Sequence, residues 1–177
     1  MTKSVLICAA LVATASLSFA QKFTSPPAET SIAIAGKNIT IKYSAPSVHG
    51  RQIFGDGGLI SHDPHYPVWR AGANSATALH TEADLDIQGL HVPAGDYTLF
   101  VNVADPDHWE FIVSKDTKEW GLAYKSDKDL GRVKMEMSKP PALIEVYKMA
   151  LSSTGGNSGK LKLEWENHIA SVSFTAK

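Results

Sequence analysis

Apolar residues recur at every second position along much of this chain. Ile39, Ile41 and Tyr43 alternate with Thr40 and Lys42, and Tyr97, Leu99, Val101 and Val103 repeat the pattern. Trp109, Phe111 and Val113 follow it too, while Phe100 and Ile112 place apolar groups on the opposite faces of their segments. Val133, Met135 and Met137 alternate with Arg132, Lys134 and Glu136. The cleanest case sets Leu161, Leu163 and Trp165 against Lys160, Lys162, Glu164 and Glu166. Side chains of an extended strand point to opposite faces in turn, so this period predicts strands with one face on a core and one in water. Turn chemistry falls between the runs: Gln88-Gly89, Val92-Pro93-Ala94-Gly95, Asp105-Pro106-Asp107 and Asn167-His168. Ser152 to Gly159 reads as a flexible loop. The segment nearest to a helical stripe, Ala142 to Leu151, is β-branched and follows Pro140-Pro141, so it reads as another strand. Nine or ten short strands with no internal repeat and no long linker predict one all-β sandwich of jelly-roll type.

The first twenty residues do not belong to that pattern. Lys3 gives a short basic start, Val5 to Ala15 is an apolar run too short to span a bilayer, and Ser18-Phe19-Ala20 has small residues where a signal peptidase requires them. The expectation is a signal peptide over 1–20, cleavage after Ala20, and a single domain over 21–177 that is secreted or periplasmic. Cys8 is the chain's single cysteine and lies inside the apolar run. The mature domain would therefore hold no disulfide, thiol nucleophile or thiolate metal site, and must be stable through its core alone. A domain of about 150 residues buries roughly 70% of its unfolded surface, which suffices. The formal net charge is −1, with basic and acidic residues intermixed, which argues against nucleic acid as a partner. No further apolar segment is long enough for a transmembrane helix.

Two conspicuous strings flank the longest aperiodic stretch. Gly50-Arg51-x-Ile53-Phe54-Gly55 precedes it, and Val68-Trp69-Arg70-x-Gly72-Ala73-Asn74-x-Ala76-Thr77 ends it. Together with Val92-Pro93-Ala94-Gly95-x-Tyr97-x-Leu99-Phe100, Lys115-Asp116 with Trp120-Gly121, and Leu163-x-Trp165-Glu166, they resemble the bacterial family known as domain of unknown function 2911. The resemblance runs from about Ser25 to Phe174. It implies an exported, β-rich domain and implies no activity. The connection from Asp56 to Pro67 looks enlarged and histidine-bearing against the family pattern, and His49 and His80 stand where histidine is not typical.

Candidate chemistry gathers in the same stretch. More than twenty residues without a period of 2 or 3.6 are unusual inside a compact domain unless they act or are pinned by specific contacts. Arg51 and Arg70 carry planar guanidinium groups suited to carboxylate or phosphate. Asn74 and Thr77 add directional polar groups, and Trp69 an aromatic surface. One reading is a polar or anionic ligand face built from Arg51, Trp69, Arg70, Asn74 and Thr77. The other is structural: the arginines tie the loop down by pairing with a carboxylate such as Glu166 and with loop carbonyls. His62-Asp63-Pro64-His65 invites a divalent metal, with His62 and His65 as ligands, but this spacing in a proline-bearing loop matches no defined site and suits a solvated turn equally. His91, His108 and His168 sit at turns and read as surface residues. No Gly-x-Ser-x-Gly elbow is present, and Glu164 and Glu166 face away from the apolar side of their strand. Three functions remain: a non-enzymatic module binding a small ligand, with no cofactor; a metal-assisted hydrolase built on His62 and His65; and a structural envelope protein that associates through a sheet edge or the Met135/Met137 strand.

Overall fold

The computed structural model describes residues 25–117 and 123–177. The expected signal peptide with its cleavage site, Cys8, and the Trp120-Gly121 pair lie outside the described residues.

The described chain is all-β, with two antiparallel sheets and two short 3-10 turns, Leu59–His62 and Ser126–Lys128. The strands are β1 (Pro27–Ile34), β2 (Lys37–Ser44), β3 (Val68–Trp69), β4 (Thr77–Thr81), β5 (Leu85–Ile87), β6 (Leu90–Val92) and β7 (Gly95–Asn102). They continue with β8 (Glu110–Ser114), β9 (Asp129–Lys134), β10 (Glu136–Ser138), β11 (Ile144–Gly155), β12 (Ser158–Glu166) and β13 (His168–Ala176). The count exceeds the nine or ten expected because β3, β5, β6 and β10 have only two or three residues, too few to display a period. Among the described residues no helix is long and apolar enough to cross a membrane.

One sheet runs β1-β2-β4-β7-β8-β9, and the other β11-β12-β13-β5-β6. Two strands share an edge position with another. β3 and β4 lie end to end along one side of β7, pairing with Val101–Asn102 and Gly95–Leu99 respectively. β5 and β10 likewise share one side of β13. The first arrangement matters for function, because residues 70–76 are the excursion the chain makes between β3 and β4.

The alternation is borne out in the core. Ile39, Ile41, Leu99, Val101, Trp109, Phe111, Val113, Leu161, Leu163 and Trp165 are all buried between the sheets. Phe100 and Ile112 are buried on the opposite side of the first sheet, packed with Val68 and covered by Tyr124. Ser152 to Gly159 is not a loose loop: β11 continues to Gly155 and β12 begins at Ser158, joined by a tight turn. Those residues keep strand geometry through the ladder although their side chains are wet on both faces, which is why the sequence shows no period there. Met135 is buried and Met137 half-buried against the core, so this stretch supplies packing where the chain passes from one sheet to the other.

Candidate functional site

The aperiodic stretch runs from Ala45 to Pro67 and is pinned along its length. Its first leg lies on β11: Val48 N–H donates to the Glu145 carbonyl at 2.8 Å, Tyr147 N–H to the Pro46 carbonyl at 2.8 Å, and His49 N–H to the Glu145 carboxylate at 2.8 Å. Arg51 closes this leg on itself, donating Nη2–H to the Ser47 carbonyl at 2.6 Å and Nε–H to the Val48 carbonyl at 3.0 Å.

The chain then turns inward. Ile53 is fully buried, and its N–H donates to the Glu166 carboxylate at 2.8 Å. Glu166 reaches this amide because it occupies the turn from β12 to β13 with φ +53°, which curls its side chain back under the loop. Phe54 enters an aromatic cluster, 4.7 Å from Trp109, 4.9 Å from His168 and 5.7 Å from both Trp69 and Trp165 between ring centroids. Such pairs contribute about 0.5–1.5 kcal/mol each beyond their buried area. Trp69 and Trp165 stack at 5.7 Å, and Tyr147 packs on both. The next turn depends on Gly58, where a Cβ would lie 2.6 Å from the Ile53 carbonyl oxygen.

His168 differs from the expectation of a surface residue. Its ring stacks on Trp109 at 5.2 Å, and its side chain is 18% exposed. Burial pushes the imidazole pKa below its ordinary value, against the opposing pull of Glu166, whose carboxylate lies 3.4 Å from Nδ1. The turn residues Glu166-Asn167 were legible in the sequence; the hydrophobic ring waiting across the sandwich was not.

Beyond β3 the chain makes the 70–76 excursion. Arg70 donates Nη2–H to the Asp63 carboxylate at 2.7 Å and Nη1–H to the Asn74 carbonyl at 3.1 Å. The Arg70 and Asp63 side chains are 15% and 8% exposed, so this is a nearly buried ion pair. Asn74 adopts φ +60°, a conformation asparagine tolerates better than most residues, and its Nδ2–H donates to the Ser25 carbonyl at 3.2 Å. Thr77 is fully buried and donates its hydroxyl to the Ala71 carbonyl at 2.8 Å. The Trp69 indole N–H donates to the Gly72 carbonyl at 2.9 Å, and a Cβ on Gly72 would come within 3.1 Å of the Thr77 hydroxyl.

Between the loop and this excursion lies a cleft of about 400 Å³. The loop lines it with Pro46, Leu59, Ile60, His62, Asp63 and Pro64, and the excursion with Trp69, Arg70, Gly72, Ala73 and Asn74; Trp165 completes it. Three of the five ligand-face candidates, Trp69, Arg70 and Asn74, therefore meet in one concavity. Arg51 and Thr77 lie outside its lining and hold the backbone nearby. The carboxylate tying an arginine to the loop is Asp63; Glu166 instead receives the Ile53 amide. Neither pairing has a sequence signal, since both depend on the path of an irregular segment. The apolar lining from Pro46, Leu59, Ile60 and Pro64 was missed for the same reason, and Trp165 was read only as core.

Of the two metal candidates, His62 lines the cleft and His65 does not. His62 Nδ1 lies 3.0 Å from the Gly58 carbonyl; a carbonyl only accepts, so Nδ1 carries the proton and Nε2 the lone pair. The His65 ring meets Tyr124 edge-on at 6.1 Å, and its N–H donates to Asp63 at 3.0 Å. Among the described residues no three His, Cys, Asp or Glu side chains converge on a position that could hold a metal ion.

No curated protein and no solved structure matches this chain. The family model described as Protein of unknown function (DUF2911) matches residues 25–174, and the chain belongs to that family.

Proposed function

We propose that this protein is an exported binding module that holds a small ligand in the cleft between the 45–67 loop and the 70–76 excursion. The observation carrying this reading is the cleft itself. Its volume of about 400 Å³ lies within the range typical of small-molecule sites, roughly 300–1,000 Å³. Its walls come from four separate parts of the chain, yet each is fixed from behind by a buried contact: Ile53 on Glu166, Phe54 in the aromatic cluster, Arg70 on Asp63, Thr77 on the Ala71 carbonyl. A site pinned this way loses little conformational freedom on binding, which favours recognition. The leader-like first twenty residues support export.

The other two readings draw no comparable support. A metal-assisted hydrolase on His62 and His65 needs a third ligand, and the described residues bring none to them. An envelope role through the Met135/Met137 strand needs an open face, whereas those side chains pack inward.

A thermal-shift screen of the protein against small acids, sugars, peptides and divalent metals tests the binding reading, with Ala73→Phe as control. Ala73 lines the cleft and is only partly buried, so a phenyl ring there fills the cavity while leaving the core intact. The expected result is a ligand that raises the melting temperature of the native chain and not of Ala73→Phe. Equal responses from the two proteins would refute the site.

A further inference from the structure

The cleft's own chemistry says what kind of ligand fits, and this inference rests on the binding reading above. The charged pair in its lining is internally compensated: Arg70 meets Asp63 at 2.7 Å. The other polar side chains of the lining also have partners already. His62 is bonded to the Gly58 carbonyl, the Trp69 indole to the Gly72 carbonyl, and the Asn74 amide to the Ser25 carbonyl. A strongly anionic ligand would have to take Arg70 from a nearly buried carboxylate and leave that carboxylate uncompensated.

One group is different. Trp165 lines the cleft, is 2% exposed, and its indole N–H finds no acceptor among the described residues. A buried donor without a partner costs about 1–3 kcal/mol, a cost an incoming acceptor removes. The remaining lining is apolar. Leu59 stands 40% exposed in it, and Val146, 48% exposed, pairs with Ser47 beside the lining residue Pro46. Apolar surface left open at a cleft mouth is where an apolar ligand gains most.

We propose that the cleft takes an uncharged, mainly apolar ligand presenting one carbonyl-type acceptor to the Trp165 indole, the chemistry of a capped amino acid with an aliphatic side chain. A saccharide fits less well. Its many hydroxyls would meet groups already bonded, and Trp69 and Trp165 are too deeply buried to offer their faces for stacking.

Three probes of similar size separate the possibilities: acetyl-leucine methylamide, acetyl-leucinate and N-acetylglucosamine, each titrated into the ¹⁵N-labelled protein while the indole N–H resonances are followed. The methylamide is expected to shift the Trp165 indole resonance downfield with saturation, and to bind at least tenfold more tightly than acetyl-leucinate. In Trp165→Phe, which keeps an aromatic ring and removes the donor, its affinity should fall about five- to tenfold. Tighter binding of acetyl-leucinate, lost in Arg70→Met, would overturn the uncharged ligand while leaving the cleft a binding site. Saturable binding of N-acetylglucosamine alone would do the same. Methylamide binding that leaves the native Trp165 resonance unmoved would overturn the indole contact even if Trp165→Phe folds poorly. A cleft silent to all three probes overturns this ligand class, and one that also yields no cleft-dependent hit in the broader screen removes the binding reading with it.

Discussion

Replacing Arg70 by methionine keeps an unbranched apolar stem in place and removes only the guanidinium. What remains is Asp63, 8% exposed, whose second oxygen still accepts the His65 N–H at 3.0 Å. Removing one partner of a buried ion pair costs about 3–5 kcal/mol, because the surviving charge loses its compensation. The residual bond to His65 and the slight exposure of both groups place Arg70→Met at the lower end, about 3 kcal/mol. For a domain of this size each kcal/mol moves the melting temperature by roughly 2–4 °C, so the expected fall is about 6–12 °C. Urea titration followed by tryptophan fluorescence measures it directly, and an unchanged denaturant slope would show that the folded state is otherwise intact. The double variant Asp63→Leu/Arg70→Met removes both charges and should recover most of the loss. A single-variant loss under 1 kcal/mol, or a double variant as unstable as the sum of the two singles, would show that the pair does not hold the cleft wall.

Three further outcomes are expected. Gly58→Ala should lose about 1–3 kcal/mol by chemical denaturation, because a Cβ 2.6 Å from the Ile53 carbonyl oxygen forces backbone apart; a neutral effect would place the loop elsewhere. Phe54→Ala should cost about 3–5 kcal/mol, since the ring packs against three tryptophans and His168; a small loss would mean the loop is not anchored through the aromatic cluster. His168 has a folded-state pKa lowered chiefly by burial, so the folded state favours the neutral ring. Its contribution is fully present above its ordinary value of 6.5 and is lost as pH falls from there towards the lowered value, and His168→Phe should flatten stability against pH in that window; an unchanged slope would contradict the burial.

The strands that could be read from sequence are those with one wet and one dry face. Leu161, Leu163 and Trp165 announced β12, and Ile39 and Ile41 announced β2, because the period of burial is visible in residue type alone. Ser152 to Gly155 could not be read, since both faces of that end of β11 are wet and the sequence looks like linker. Three ligand candidates, Trp69, Arg70 and Asn74, were legible because they share a short segment that folds into one excursion between β3 and β4. Their partners were not legible. Asp63 faces Arg70 only because Gly58 and the Leu59–His62 turn bring it round, and Glu166 reaches Ile53 only through a left-handed turn at the far end of the chain. The partly buried His168 followed the same rule: its surroundings come from Phe54 and Trp109, distant in sequence. Alternation reports which side of a strand is dry, whereas a cleft walled by loops is set by where those loops cross.

The most direct test of the account is a map of backbone and indole N–H chemical-shift changes in the full-length folded protein on adding the best hit from the thermal-shift screen. The account predicts saturable changes confined to residues 59–64, residues 69–74 and the Trp165 indole, absent in Ala73→Phe. Changes centred instead on the outer face of either sheet, or persisting in Ala73→Phe, would contradict it.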